Sequence, residues 1–78
     1  MIKISKKNNN SRTSLYDLNN NILKDGDTVI SFRYDLGKCK VILGETGIIY
    51  ESIENGQQVH WTKMIDAITG RQKVRKED

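Results

Sequence analysis

The amino-acid sequence predicts an all-β fold: a small barrel of about five short antiparallel strands with one short helical turn near the C-terminus. Runs of β-forming residues recur about every ten residues, and Gly, Asn and Asp residues typical of turns separate them. Five short strands in so little chain are too few to fill two packed sheets. A small barrel, closed or half-open, instead reduces the exposed strand edges with the least chain.

The first elements are a hairpin, a turn and a strand. Residues 15–23 form the predicted hairpin around Asn19-Asn20-Asn21, because Asn tolerates the positive φ of a tight turn. Asp25-Gly26-Asp27 is a second turn. In 28–34, apolar and polar residues alternate with the period of two that indicates a strand, and Ile30 and Phe32 are expected inside.

Three further strands are predicted at 38–43, 48–53 and 58–65. Gly44 to Gly47 separates the first two, and Asn55-Gly56 fits the hairpin turn before the third. The apolar faces predict a core of Ile30, Phe32, Val41, Leu43, Ile49, Val59, Trp61, Ile65 and Ile68.

The C-terminal part allows two interpretations. One helical turn over 66–70, capped by Asp66 and ended by Gly70, followed by a last strand at 72–74, suits the barrel. Residues Trp61, Met64, Ile65 and Ile68 also recur at helical spacing, so that a helix in 61–68 and an α+β fold remain open. The expected domain limits are a disordered basic leader at 1–14, the barrel at 15–74 and a frayed tail at 75–78.

Composition limits the function classes. The 78 residues form one domain, too small for a deep cofactor cleft, and the net charge of +3 resides at the ends. Residues 1–14 contribute +4 and 71–78 contribute +2, whereas 15–70 sum to −3. A single Cys, no apolar run of about 18 residues and no signal-peptide pattern favour a cytoplasmic chain without membrane association.

The order of landmarks resembles a known class. Gly26-Asp27-x-Val29 opens a strand, hairpin-linked strands follow, and a single turn at 66–70 precedes a short final strand. Over about residues 22–76 this pattern resembles the SH3-like small β-barrels, which include KOW and Tudor modules, and it also looks like that of small bacterial proteins. The resemblance implies a binding role, toward nucleic acids, peptides or ribosomal partners.

Catalysis is not expected. The strand pattern places Cys39 on an apolar face, where it acts as an inert small hydrophobe, and His60 on the opposite face from Trp61. A nucleophile and its base must come within hydrogen-bond reach, which this arrangement disfavours. No phosphate loop or calcium loop is complete, and neither a metal nor a cofactor is expected.

Two binding hypotheses remain. The first is a protein-interaction module, monomeric or weakly homodimeric, favoured because the body of the chain is not basic and a small barrel leaves strand edges open. The second is a nucleic-acid module whose basic ends contact phosphate. The candidate binding residues lie on or near the predicted hairpin 33–40 and in the strand 58–65: Arg33, Tyr34, Lys38, Lys40, His60 and Lys63.

Overall fold

A computed structural model describes residues 14–77 of the chain. It contains five strands and one 3-10 turn, with these bounds: β1 Thr28–Ser31, β2 Lys38–Gly44, β3 Gly47–Ser52, β4 Gln58–His60, η1 Trp61–Lys63 and β5 Val74–Lys76. All pairs are antiparallel, and the sheet has the order β4-β3-β2-β1-β5. The all-β prediction is confirmed. Of the closed and half-open forms that the sequence leaves open, the closed one is absent, because no pairing joins the edge strands β4 and β5 within residues 14–77.

The predicted N-terminal hairpin is present and covers one sheet edge. Tyr16 and Ile22 form an antiparallel bridge, and Asn20 takes the positive φ of 66° expected of the turn. The Leu18 N–H donates to the Val74 carbonyl at 2.9 Å, so the hairpin lies along the outer edge of β5. Residues 1–13 of the predicted leader at 1–14 lie outside the described residues.

Asp17 fastens this hairpin to β5. Its buried carboxylate accepts the backbone N–H of Lys76 at 2.7 Å and those of Asn19 and Asn21 at 3.0 and 2.7 Å. Burial alone raises the pKa of this carboxyl, but the N–H donors of Lys76, Asn21 and Asn19 outweigh it and hold the pKa below its ordinary value.

The core lies on one face of the sheet. Its buried apolar side chains come from all five strands, the hairpin, the β1–β2 loop and the segment after η1: Leu23, Val29, Leu36, Cys39, Val41, Ile48, Tyr50, Val59, Met64 and Val74. Val41 and Val59 confirm the prediction. The assignments of Ile30 and Ile49 to the core are wrong, because β1 and β3 turn Val29, Ile48 and Tyr50 inward instead. A shift of one residue in phase exchanges the two faces of a strand.

The remaining errors in the predicted core arise where strands end. Phe32 is half exposed because β1 stops at Ser31, and Trp61 is half-buried because β4 stops at His60. Leu43 is 66% exposed at the far end of β2. Ile65 and Ile68 are also exposed, since the segment 64–73 is an irregular loop.

The C-terminal part contains the predicted turn over 66–70, in which the Gly70 N–H donates to the Asp66 carbonyl at 2.7 Å. The 3-10 turn η1 precedes it and was not predicted, and residues 61–68 form neither a strand nor an α-helix. Asp66 does cap a turn ending at Gly70, accepting the Thr69 hydroxyl at 2.8 Å. The last strand continues to Lys76, beyond the expected limit at 74, because β5 pairs with β1. Within the described residues, no helix is long and apolar enough to cross a membrane.

Candidate functional site

The two candidate lysines of β2 lie on the sheet face opposite the core. Lys38 stands opposite Ile30 of β1, and Lys40 stands between Thr28 of β1 and Glu51 of β3. The Nζ of Lys38 lies 3.1 Å from the Glu77 carboxylate. The positive charge of this face is therefore partly compensated by carboxylates on the same face.

Arg33 and Lys63 meet on another part of the surface. The Nη1 of Arg33 donates to the Lys63 carbonyl at 2.9 Å, which ties the β1–β2 loop to the end of η1. Tyr34 follows in the same loop, half exposed, with a positive φ of 59°. β1 ends two residues before Arg33, so Lys38 and Lys40 pair with Ile30 and Thr28 of β1 and not with Arg33.

His60 occupies a structural position at the start of η1. Its Nδ1 accepts the Thr62 N–H at 3.4 Å and lies 2.8 Å from the Thr62 hydroxyl. Its Nε2 lies 3.1 Å from the Thr46 carbonyl oxygen, which can only accept, so the neutral ring carries its proton on Nε2. His60 thus links η1 to the β2–β3 turn.

The contacts of the six candidate residues lie in different parts of the fold. Only Arg33 and Lys63 are joined by a hydrogen bond, while Lys38 and Lys40 share a strand face and His60 binds the β2–β3 turn. Of the 13 basic and 10 acidic side chains, four basic ones lie in residues 1–13 and one acid is Asp78. The described residues therefore hold nine of each sign and are neutral overall.

An apolar cleft of about 710 Å³ opens between the N-terminal hairpin, the β2–β3 turn and η1. We call it the Trp61 cleft. Its apolar lining consists of Leu15, Leu23, Leu43, Ile48 and Trp61, and its remaining lining consists of Ser14, Lys24, Asp25, Gly44, Glu45, Thr46 and Gly47. Small-molecule and peptide sites have this character: an apolar concave surface with a few polar groups at its margin.

Trp61 has its place in the cleft because Gly47 has no side chain. A Cβ at position 47 would lie 2.5 Å from Trp61 Nε1 and 2.8 Å from Cδ1, so the indole ring lies directly over the backbone of the turn. The indole N–H donates to the Thr46 carbonyl at 3.4 Å. One face of the Trp61 side chain packs against the core, and the residue remains half-buried.

Leu43 forms the most exposed part of the lining. Its backbone N–H donates to the Asp25 carboxylate at 2.8 Å, which ties the turn before β1 to the end of β2. Neither Asp25 nor Glu45 belongs to the three ion pairs formed within residues 14–77. The cleft margin therefore carries two carboxylates and one ammonium group, that of Lys24.

The sequence pattern does not predict this cleft, because its alternation places Leu43 and Trp61 in the core. A signal was present: Leu43 immediately precedes the Gly44–Gly47 turn, and a side chain at the end of a strand has fewer neighbours to cover it. Large apolar residues at or just beyond the ends of strands, such as Leu43 and Trp61, can form an exposed binding surface and not a core.

Cys39 is a buried structural thiol. Burial raises the pKa of Cys39 to about 11, and its Sγ–H points to the Gly37 carbonyl at 3.7 Å. His60 makes its contacts with Thr46 and Thr62 instead. Within residues 14–77, no three His, Cys, Asp or Glu side chains are grouped as a metal site requires.

Comparison of the chain with protein-family models, with curated proteins and with solved structures gives no match in any of the three.

Proposed function

We propose that this chain is a small protein-interaction module, and that the Trp61 cleft receives apolar side chains from an extended segment of a partner protein. The observation that carries the proposal is the cleft itself: Leu43 is 66% exposed beside the half-buried ring of Trp61. The order of the five strands and the 3-10 turn before the last strand support a likeness to the SH3-like binding modules.

The exposed lining is large enough to contribute to binding. Burying a Leu side chain completely yields about 1.5–3 kcal/mol, so covering the exposed two-thirds of Leu43 contributes about 1–2 kcal/mol. Trp61 adds apolar area at little entropic cost, because its ring is already held against the core and the Thr46 carbonyl. Aromatic side chains fixed in this way are typical anchors of protein interfaces.

The charges of the margin define the chemistry of the partner. Asp25, Glu45 and Lys24 together give the margin a net charge of −1. A basic residue next to the apolar side chains of the partner therefore complements the margin. Nucleic acid is disfavoured as the ligand of the described residues, because nine acids balance nine bases. Three of those bases, Lys38, Lys73 and Lys76, already pair with acids.

The test is a selection of peptides from a random display library on the immobilised full chain. We expect enriched peptides that combine apolar residues with Lys or Arg. Leu43→Glu places a charge in the cleft and is expected to weaken the selected peptides about tenfold or more, which corresponds to about 1.4 kcal/mol.

Ile53→Glu is the matched control, since Ile53 is 56% exposed and lies outside the cleft. Peptides that bind Leu43→Glu as well as the native chain, or a selection without enrichment, would contradict the proposal. Binding of labelled oligonucleotides that weakens steeply with salt would instead support the nucleic-acid hypothesis.

A further inference from the structure

The chain itself contains a segment with the chemistry that the Trp61 cleft requires. Residues 1–7, Met-Ile-Lys-Ile-Ser-Lys-Lys, combine three apolar side chains with three lysines and no acid. These residues precede the described part of the chain. Their composition matches an apolar cleft whose margin carries a carboxylate excess.

The cleft matches this segment in two respects. Leu43 and Trp61 offer apolar surface to side chains such as Ile2 and Ile4. Asp25 and Glu45, which are in no ion pair within residues 14–77, offer carboxylates to the lysines. The pairing of unlike charges around an apolar contact favours this occupant over an acidic or purely polar one.

The covalent connection makes the contact reachable. Ser14 is itself part of the cleft lining, so the chain enters the described structure at the site. Residues 8–13 provide six residues, which span up to about 20 Å when extended. A tether of this length gives an effective concentration in the millimolar range.

We propose that residues 1–7 bind the Trp61 cleft of their own chain and compete there with the partner segment. The inference rests on the proposed function of the cleft and adds its regulation. At an effective concentration of about 1 mM, a segment with an intrinsic Kd of about 0.1 mM weakens partner binding about tenfold. The partner must then displace the segment.

The test compares the full chain with its variant Ile2→Ser/Ile4→Ser. The single Trp reports on the cleft directly, through the indole Nε1–H resonance in NMR and through quenching of its fluorescence by acrylamide. We expect the resonance to move, the quenching to increase and the library-selected peptide to bind the variant about tenfold more tightly. Ile53→Ser/Ile68→Ser is the matched control, because both residues are exposed outside the cleft.

An unchanged Trp61 resonance and quenching in Ile2→Ser/Ile4→Ser would overturn the inference, as would an equal change in the control. A difference that disappears on dilution would assign the segment to a second copy and overturn the intramolecular form. The two proposals fail separately. Peptide binding that depends on Leu43 but ignores Ile2 and Ile4 removes this inference alone. A Trp61 resonance that responds to Ile2 and Ile4 without any selected peptide removes the proposed function and the competition, and leaves only the binding of residues 1–7 to the cleft.

Discussion

The position of Trp61 depends on a missing side chain at Gly47, and Gly47→Ala tests that dependence. The new methyl group would lie 2.5 Å from Trp61 Nε1, and Gly47 has a φ of +119°. Gly26→Ala is the matched control, since Gly26 has a φ of +91° and nothing within 4 Å of its Cβ position. Both variants lose about 1–2 kcal/mol for the unfavourable backbone. Only Gly47→Ala adds the cost of overpacking, about 1–3 kcal/mol.

Urea denaturation followed by the fluorescence of the single Trp measures the difference. With a denaturant slope near 1 kcal/mol per M, the midpoint of Gly47→Ala is expected to lie about 1–3 M below that of Gly26→Ala. The total stability of so small a core is roughly 3–5 kcal/mol, so all proteins are measured in the same stabilising osmolyte to retain a folded baseline. Equal midpoints together with an unchanged Trp61 emission would refute the assigned packing of Trp61 on Gly47.

Three further predictions concern the core and its polar contacts. Because the pKa of Asp17 is lowered in the folded chain, its carboxylate stabilises the fold above the unfolded-state pKa of about 3.9, and this stabilisation is lost as pH falls through the folded-state pKa. Urea midpoints should therefore be steady near neutral pH and drop below about pH 4, less steeply in Asp17→Asn. An equal drop in both proteins would contradict the role of Asp17. Tyr50→Phe removes the 2.7 Å hydrogen bond that Tyr50 donates to buried Gln72 and should cost about 1–3 kcal/mol in the same assay, whereas a loss below about 0.5 kcal/mol would show that Gln72 finds another donor. Cys39, buried and with a pKa near 11, should react with iodoacetamide only in denaturing urea, and rapid alkylation of the folded chain at pH 8 would contradict its burial.

The turns and the fold class could be predicted because they depend on local chemistry. Asn20, Gly26 and Gly56 adopt positive φ where the sequence placed turns. The alternation of Cys39 and Val41 with lysines predicts the correct face of β2. These signals need no knowledge of which strands are neighbours.

The phase of β1 and β3 could not be predicted, because both faces of these strands carry apolar residues. Ile30 lies on the outer face between Lys38 and Arg75, and Val29 fills the core in its place. The pairing with β5 decides between them, and that pairing joins residues more than 40 positions apart in the chain. A sequence pattern that covers a few residues cannot contain this information.

The contacts around the candidate residues could not be predicted for a related reason. Arg33, Lys38 and Lys40 are close in sequence, but the β1–β2 loop turns Arg33 to the Lys63 carbonyl. The Trp61 cleft, by contrast, joins residues from 14 to 61, and only the folded chain brings them together. The sequence predicts Trp61 in the core because the alternation of apolar and polar residues continues after the pairing of β4 has stopped at His60.

Chemical-shift mapping with a library-selected peptide tests the central claim most directly. On titration into the full ¹⁵N-labelled chain, the account predicts the largest changes at the amides of Leu23, Leu43 and Gly47 and at the indole of Trp61. Changes concentrated instead around Lys38 and Lys40, on the opposite face of the sheet, would contradict it.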